Sequence, residues 1–186
     1  MYWYKLFFLN RINVVCYVMV SACLFGCKPD IKETGATLKY FDIKGFFATD
    51  IARLNKLNKP VLKTIVYNGV TEKKNVQIKN WGPELDLFAG SDINKPAWKN
   101  SYSIVANDDF LLYKAKYPEL KMREMLIKKV NGKVKWMMIF NRTKNIIYQT
   151  TEKLSYFPDS VYTIEKAQKV RLMGTNFYKV QGIIAR

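Results

Sequence analysis

The residue types behind most enzymatic chemistry are scarce in this chain. It has no histidine, so it can build no Ser-His-Asp triad, no Cys-His pair and no histidine-ligated metal site. Its three cysteines, Cys16, Cys23 and Cys27, all lie near the N-terminus. That placement removes thiol catalysis and cysteine-held zinc from the body of the protein. Carboxylates remain. Asp108 and Asp109 are adjacent between two predicted strands, where such pairs serve as solvated turn formers. A glycosidase pair would have to converge from Glu84, Asp86, Glu124, Glu152 and Glu165, whose positions in space their spacing along the chain does not set. No serine is followed three residues later by lysine, and no glycine-rich phosphate loop occurs. Lys44-Gly45-Phe46-Phe47 has the first half of an RNA-binding strand motif, but it falls on a predicted helix. A non-enzymatic protein is expected, with no cofactor and no metal.

Charge is the strongest remaining signal. The chain has 31 Lys+Arg against 15 Asp+Glu, a formal net charge of +16. The excess concentrates between Lys121 and Lys153, where only Glu124 and Glu152 are acidic. Lys128 and Lys135 mark the candidate basic binding face. Its expected partners are anionic lipid headgroups or acidic envelope polysaccharides, not nucleic acid. A lysine-rich solvated sheet face that discourages edge pairing explains the same charge without a ligand. Trp136, Met138 and Phe140 are the candidate apolar lining if the sheet curves around a cavity; the plainer alternative is an ordinary core.

The N-terminal segment reads as an address. It carries Lys5 and Arg11 and no acid before the largely apolar stretch from Ile12 to Phe25. That stretch is short for a membrane span, which needs roughly 20 residues, and suits the apolar region of a signal peptide. It ends in Leu24-Phe25-Gly26-Cys27, followed by Lys28-Pro29-Asp30. A small residue before a cysteine at this boundary resembles the bacterial lipoprotein cleavage site. The resemblance implies diacylglycerol on the Cys27 sulfur and cleavage before it. Val20-Ser21-Ala22-Cys23 fits the box better, so Cys23 is the runner-up, but cleavage there would leave Leu24 and Phe25 directly behind the anchor. Lys28 stands where an aspartate often retains lipoproteins at the inner membrane, which favours the outer membrane. The expected organisation is a signal peptide over 1–26, anchor and tether over 27–37, and one domain over 38–186.

The elements that must position these groups follow from periodicity. From Asp42 to Leu57 the apolar residues Ile43, Phe46, Phe47, Ile51, Leu54 and Leu57 fall on one helical face. Asp42 can cap the start, and Asn58 with Pro60 ends the helix. Asn68-Gly69 and Asn131-Gly132 each predict a two-residue hairpin. The first pairs Tyr67 with Val70, Ile65 with Glu72 and Val61 with Val76. The second, in regular register, pairs Ile127 with Trp136, Met125 with Met138 and Lys128 with Lys135. A short helix is predicted over Trp81–Phe88 and an irregular corner over Asp92–Trp98. Alternating strands follow over 102–106, 110–115, 120–130, 133–141, 145–156, 160–172 and 176–184, with Pro158-Asp159 and Gly174-Thr175-Asn176 as turns. The fold class is α+β, one main helix on a long antiparallel meander, with a curved half-barrel as one form the sheet could take.

The order of segments resembles a family of small uncharacterised lipoproteins of Gram-negative bacteria. The pattern runs through Tyr40-Phe41-Asp42, Arg53-Leu54-Asn55, the Asn68-Gly69 hairpin and Ser91-Asp92-Ile93-Asn94-Lys95-Pro96-Ala97-Trp98. It continues through Tyr156-Phe157-Pro158-Asp159-Ser160 and Lys169-Val170-Arg171-Leu172. The Asp92–Trp98 stretch is its most specific part. The resemblance implies a lipid-anchored envelope protein and assigns no catalytic residue. The expected function is a binding or structural accessory of the cell envelope, its protein partner unknown. The alternative is a carrier or receptor for an acyl chain or other apolar ligand.

Overall fold

The computed structural model describes residues 38–185. Cys23 and Cys27 lie outside these residues. The first element, α1, spans Ile43–Leu57. The Asp42 side chain accepts the Gly45 N–H at 2.8 Å, and Asn58 closes the helix in the left-handed region at φ 45°. Ile43, Phe47, Asp50 and Leu54 form its buried stripe, at helical spacings. The hairpin of β1 (Pro60–Tyr67) and β2 (Val70–Gln77) turns at Asn68-Gly69, with both residues at positive φ. Its register pairs Tyr67 with Val70, Ile65 with Glu72 and Val61 with Val76, as the turn dictates.

A second helix, α2 (Gly82–Ala89), carries Pro83 in its first turn. A corner from Asp92 to a 3-10 turn at Pro96–Trp98 follows. Within that corner the Asn94 side chain accepts the Tyr40 N–H at 3.0 Å and donates to the Phe41 carbonyl at 3.0 Å. The corner thus fixes the chain's entry into α1.

Seven strands complete the sheet: β3 (Tyr102–Ala106), β4 (Phe110–Ala115), β5 (Met122–Val130), β6 (Lys133–Lys144), β7 (Tyr148–Phe157), β8 (Val161–Val170) and β9 (Gly174–Ile184). The strand order is β2-β1-β9-β8-β7-β6-β5-β4-β3, antiparallel throughout. The meander from β3 to β9 is the expected one. The first hairpin then adds to the far side of β9, so the two ends of the domain meet in β1–β9 pairing. The sheet remains open, with β2 and β3 as edges. Among the described residues no helix is long and apolar enough to cross a membrane.

Both helices cover one face of the sheet. Phe47 from α1 and Phe88 from α2 close on Tyr156, at ring-centroid distances of 5.1 and 5.7 Å. Met125, Ile127, Met137, Ile139, Leu154, Tyr162 and Ile164 extend this core across β5 to β8.

The register of the β5–β6 hairpin corrects the expected one. Val130 pairs with Lys133 and Lys129 with Val134, as a two-residue turn requires. Lys135 is then an extra residue, so Lys128 pairs with Trp136, Ile127 with Met137 and Met125 with Ile139. A one-residue slip carries every following side chain to the opposite face. Met137 and Ile139 therefore enter the core, while Trp136, Met138 and Phe140 turn outward. A second irregularity with Arg123 as the extra residue restores the original register at Met122–Asn141. The last turn also differs from expectation. It lies at Arg171–Met173, closed by Val170 opposite Gly174, which sits at φ 82°.

Candidate functional site

The groups that fix the helices to the sheet set the geometry of everything else. Tyr156 on β7 and Tyr162 on β8 are direct cross-strand partners, both fully buried. Their hydroxyls diverge. Tyr156 donates to Asp50 of α1, whose carboxylate also holds Arg53, and Arg53 reaches on to Asp159 in the β7–β8 turn. Tyr162 donates to Glu84 of α2 at 2.5 Å, and Glu84 pairs with Lys63 of β1 at 2.8 Å. Burial pushes both phenols well above their ordinary range, and the facing carboxylates push them further. They stay protonated and act as hydrogen-bond donors. The two constellations dock the helices to the sheet.

Beyond the helices, the same face of the sheet becomes polar. Lys121, Thr143, Tyr148, Thr150, Glu152, Lys166 and Gln168 line an open cavity of about 200 Å³. Glu152 is buried between Lys121 and Lys166, each with its ammonium 3.7 Å from a carboxylate oxygen. Asn141 donates to the Ser91 hydroxyl at 2.9 Å and to Glu152 at 3.3 Å, while its own carbonyl oxygen has no partner. Lys166 and Gln168 also border a neighbouring cavity of about 390 Å³, with Tyr67, Leu87, Ile164, Asn176 and Tyr178. The trough offers one carboxylate, two ammonium groups and several neutral polar groups.

The other candidate carboxylates are dispersed. Glu84 is bound to Tyr162, and the adjacent Asp108 and Asp109 are exposed between β3 and β4. Glu124 and Glu165 stand on the outward face, paired with Lys114 at 3.9 Å and Lys179 at 2.9 Å. Among the described residues no group of three or more metal-ligating acids or thiols forms.

The outward face brings most of the sequence-predicted residues together. Trp136 stands between Phe110 and Phe157, with ring centroids 6.4 and 6.3 Å away. The Lys128 ammonium lies 5.2 Å from the Phe110 ring centroid, within cation–π range. Met138 and Phe140 are exposed on the same strand. Leu126 pairs with Met138, and Leu112 pairs with Leu126, which extends the apolar surface to β4. Lys135 is the exposed bulge residue and does not pair with Lys128. Phe157 belongs to this surface together with Phe110, which was not legible as part of it. Each ends or starts its strand beside a polar turn, and only the strand order sets them on either side of Trp136. No protein-family model, curated protein or solved structure matches this chain.

Proposed function

We propose that this chain is a non-enzymatic binding protein of the bacterial cell envelope, held to the outer membrane by a lipid on Cys27, whose outward sheet face takes an acidic polysaccharide. The observation that supports this reading most is the Phe110–Trp136–Phe157 row with Lys128 against it. Aromatic rings on an uncovered sheet face offer sugar rings stacking partners for their C–H faces. Neighbouring cations attract uronate or sulfate groups and raise the local ligand concentration. Contiguous apolar side chains on an uncovered sheet face are the kind of surface that interaction sites use. The carrier reading draws less support, because the side chains it would use as a lining, Trp136, Met138 and Phe140, stand on the outward face.

Two measurements test the proposal. The full chain, purified in detergent, is titrated with alginate and with neutral dextran while tryptophan emission is followed. Alginate is expected to bind and dextran not to. Trp136→Ala should weaken alginate binding at least about tenfold, equivalent to roughly 1.4 kcal/mol. Equal binding of dextran, or an unchanged Trp136→Ala variant, would sink the polysaccharide reading. For the anchor, radiolabelled palmitate should label the wild type in a Gram-negative host and fail to label Cys27→Ser. Continued labelling of that variant would move the anchor to Cys23.

A further inference from the structure

The five most exposed large apolar side chains among the described residues all stand at one end of the sheet. Leu172 (94%) and Met173 (79%) form the tip of the β8–β9 hairpin. Ile146 (85%) and Ile147 (66%) form the tip of the β6–β7 hairpin. Val70 (74%) begins β2 at the tip of the first hairpin. These tips are neighbours. The Arg171 N–H donates to the Ile147 carbonyl at 3.0 Å, and Asn68 bonds both the Phe177 carbonyl and the Asn176 side chain. Turn chemistry does not ask for such residues. Turn centres favour glycine, asparagine, aspartate and serine, and Asn145 already supplies the turn by accepting the Ile147 and Tyr148 N–H groups. Two consecutive isoleucines in open water thus contribute nothing to the local structure that a polar residue would not.

The surrounding charge identifies the partner. Arg142 and Lys144 flank the first tip, and Lys169 and Arg171 flank the second. Neither 142–149 nor 166–178 contains an acid. Aliphatic tips inside a collar of cations match the interface of an anionic bilayer, where apolar side chains enter the acyl boundary and cations meet phosphates. Packing of the same tips against a second copy would set Lys144, Lys169 and Arg171 against like charges. We infer that this end of the sheet docks directly on an anionic membrane surface, through Ile146, Ile147, Leu172 and Met173. This contact is separate from any lipid on Cys27 and does not rest on it.

The test is hydrogen exchange, read by mass spectrometry, on the full chain in two kinds of vesicle. One is pure phosphatidylcholine and the other is phosphatidylcholine with phosphatidylglycerol. The N-terminal segment is present in both, so a difference between them reports the tips. Amides at 146–147 and 172–173 are expected to exchange on the order of tenfold more slowly on the anionic vesicles. Lys144→Gln/Lys169→Gln/Arg171→Gln, all surface changes, should erase that difference. Equal exchange in the two lipids in the wild type would overturn the inference. So would protection that grows with protein-to-lipid ratio, which would mean a contact between copies. The wild-type comparison needs no variant to fold.

Discussion

At the scale of single residues, Gly182 shows how little space the core leaves. It sits on β9, paired with Tyr162 on one side and Lys63 on the other. A Cβ built there would lie 2.1 Å from Tyr162 Cε1 and 2.5 Å from its hydroxyl oxygen. Strand pairing on both sides fixes the backbone, so the tyrosine ring would have to leave. Its departure would break the hydrogen bond to Glu84 and uncover Trp81, whose ring centroid is 5.8 Å away. Gly182→Ala is therefore expected to destabilise the protein by about 3 kcal/mol, the upper part of the range for overpacking. Urea denaturation would measure it. A loss under about 1 kcal/mol would mean that Tyr162 has room to move and does not hold α2. Gly45 follows the same logic locally. Its helix propensity is poor, yet a Cβ there would lie 2.2 Å from an Asp42 carboxylate oxygen, so the cap depends on its absence.

At the scale of elements, local patterns were legible and long-range choices were not. The buried Ile43, Phe47 and Leu54 of α1 follow from helical spacing and the two hairpins from their Asn-Gly turns, while Leu57 of the expected stripe is exposed. The sheet order beyond the meander does not. Nothing local to β1 says that it pairs with β9 and so brings Lys63 under Glu84. The β5–β6 bulge was hidden for a different reason. Trp136-Met137-Met138-Ile139-Phe140 is apolar on both faces, so alternation cannot choose between them. The choice falls to packing. Met137 and Ile139 fit beneath the helices beside Met125 and Ile127, while the larger Trp136 finds Phe110 and Phe157 outside. The candidate surface was thus named by residue and misassigned by face. The trough around Glu152 was not legible, because Lys121, Glu152 and Lys166 meet only through the pairing of β5 with β6, of β6 with β7 and of β7 with β8. The apolar hairpin tips were masked by their own composition. β-branched Ile146 and Ile147 read as the start of a strand that begins at Tyr148.

At the scale of the whole molecule, one face of a nine-stranded sheet carries both helices, and buried tyrosines supply much of the polar attachment. This has a consequence for stability at high pH. Burial pushes Tyr102 up to about 12, with Tyr40 adding to the shift, and it raises Tyr156 and Tyr162 as well. An unfolded tyrosine titrates near ~10. Below that pH both states hold the proton, and the stabilisation is complete. Above it the unfolded chain releases protons that the folded chain retains, so the unfolded state binds fewer and unfolding becomes easier as pH rises. Each such tyrosine should lower the unfolding free energy by about 1.4 kcal/mol per pH unit until its folded form also titrates. The comparison that isolates the phenol is wild type against Tyr156→Phe, with urea midpoints at about pH 9 and about pH 11. At the lower pH the variant should be less stable by about 1–3 kcal/mol, because the buried Asp50 loses a donor and keeps only Arg53. At the higher pH the gap should close by more than 1 kcal/mol, since the variant has no phenol to deprotonate on unfolding. A gap that stays constant across the two conditions would mean that Tyr156 ionises as readily in the folded protein as in the unfolded chain, and that its contact with Asp50 does not hold α1 to the sheet.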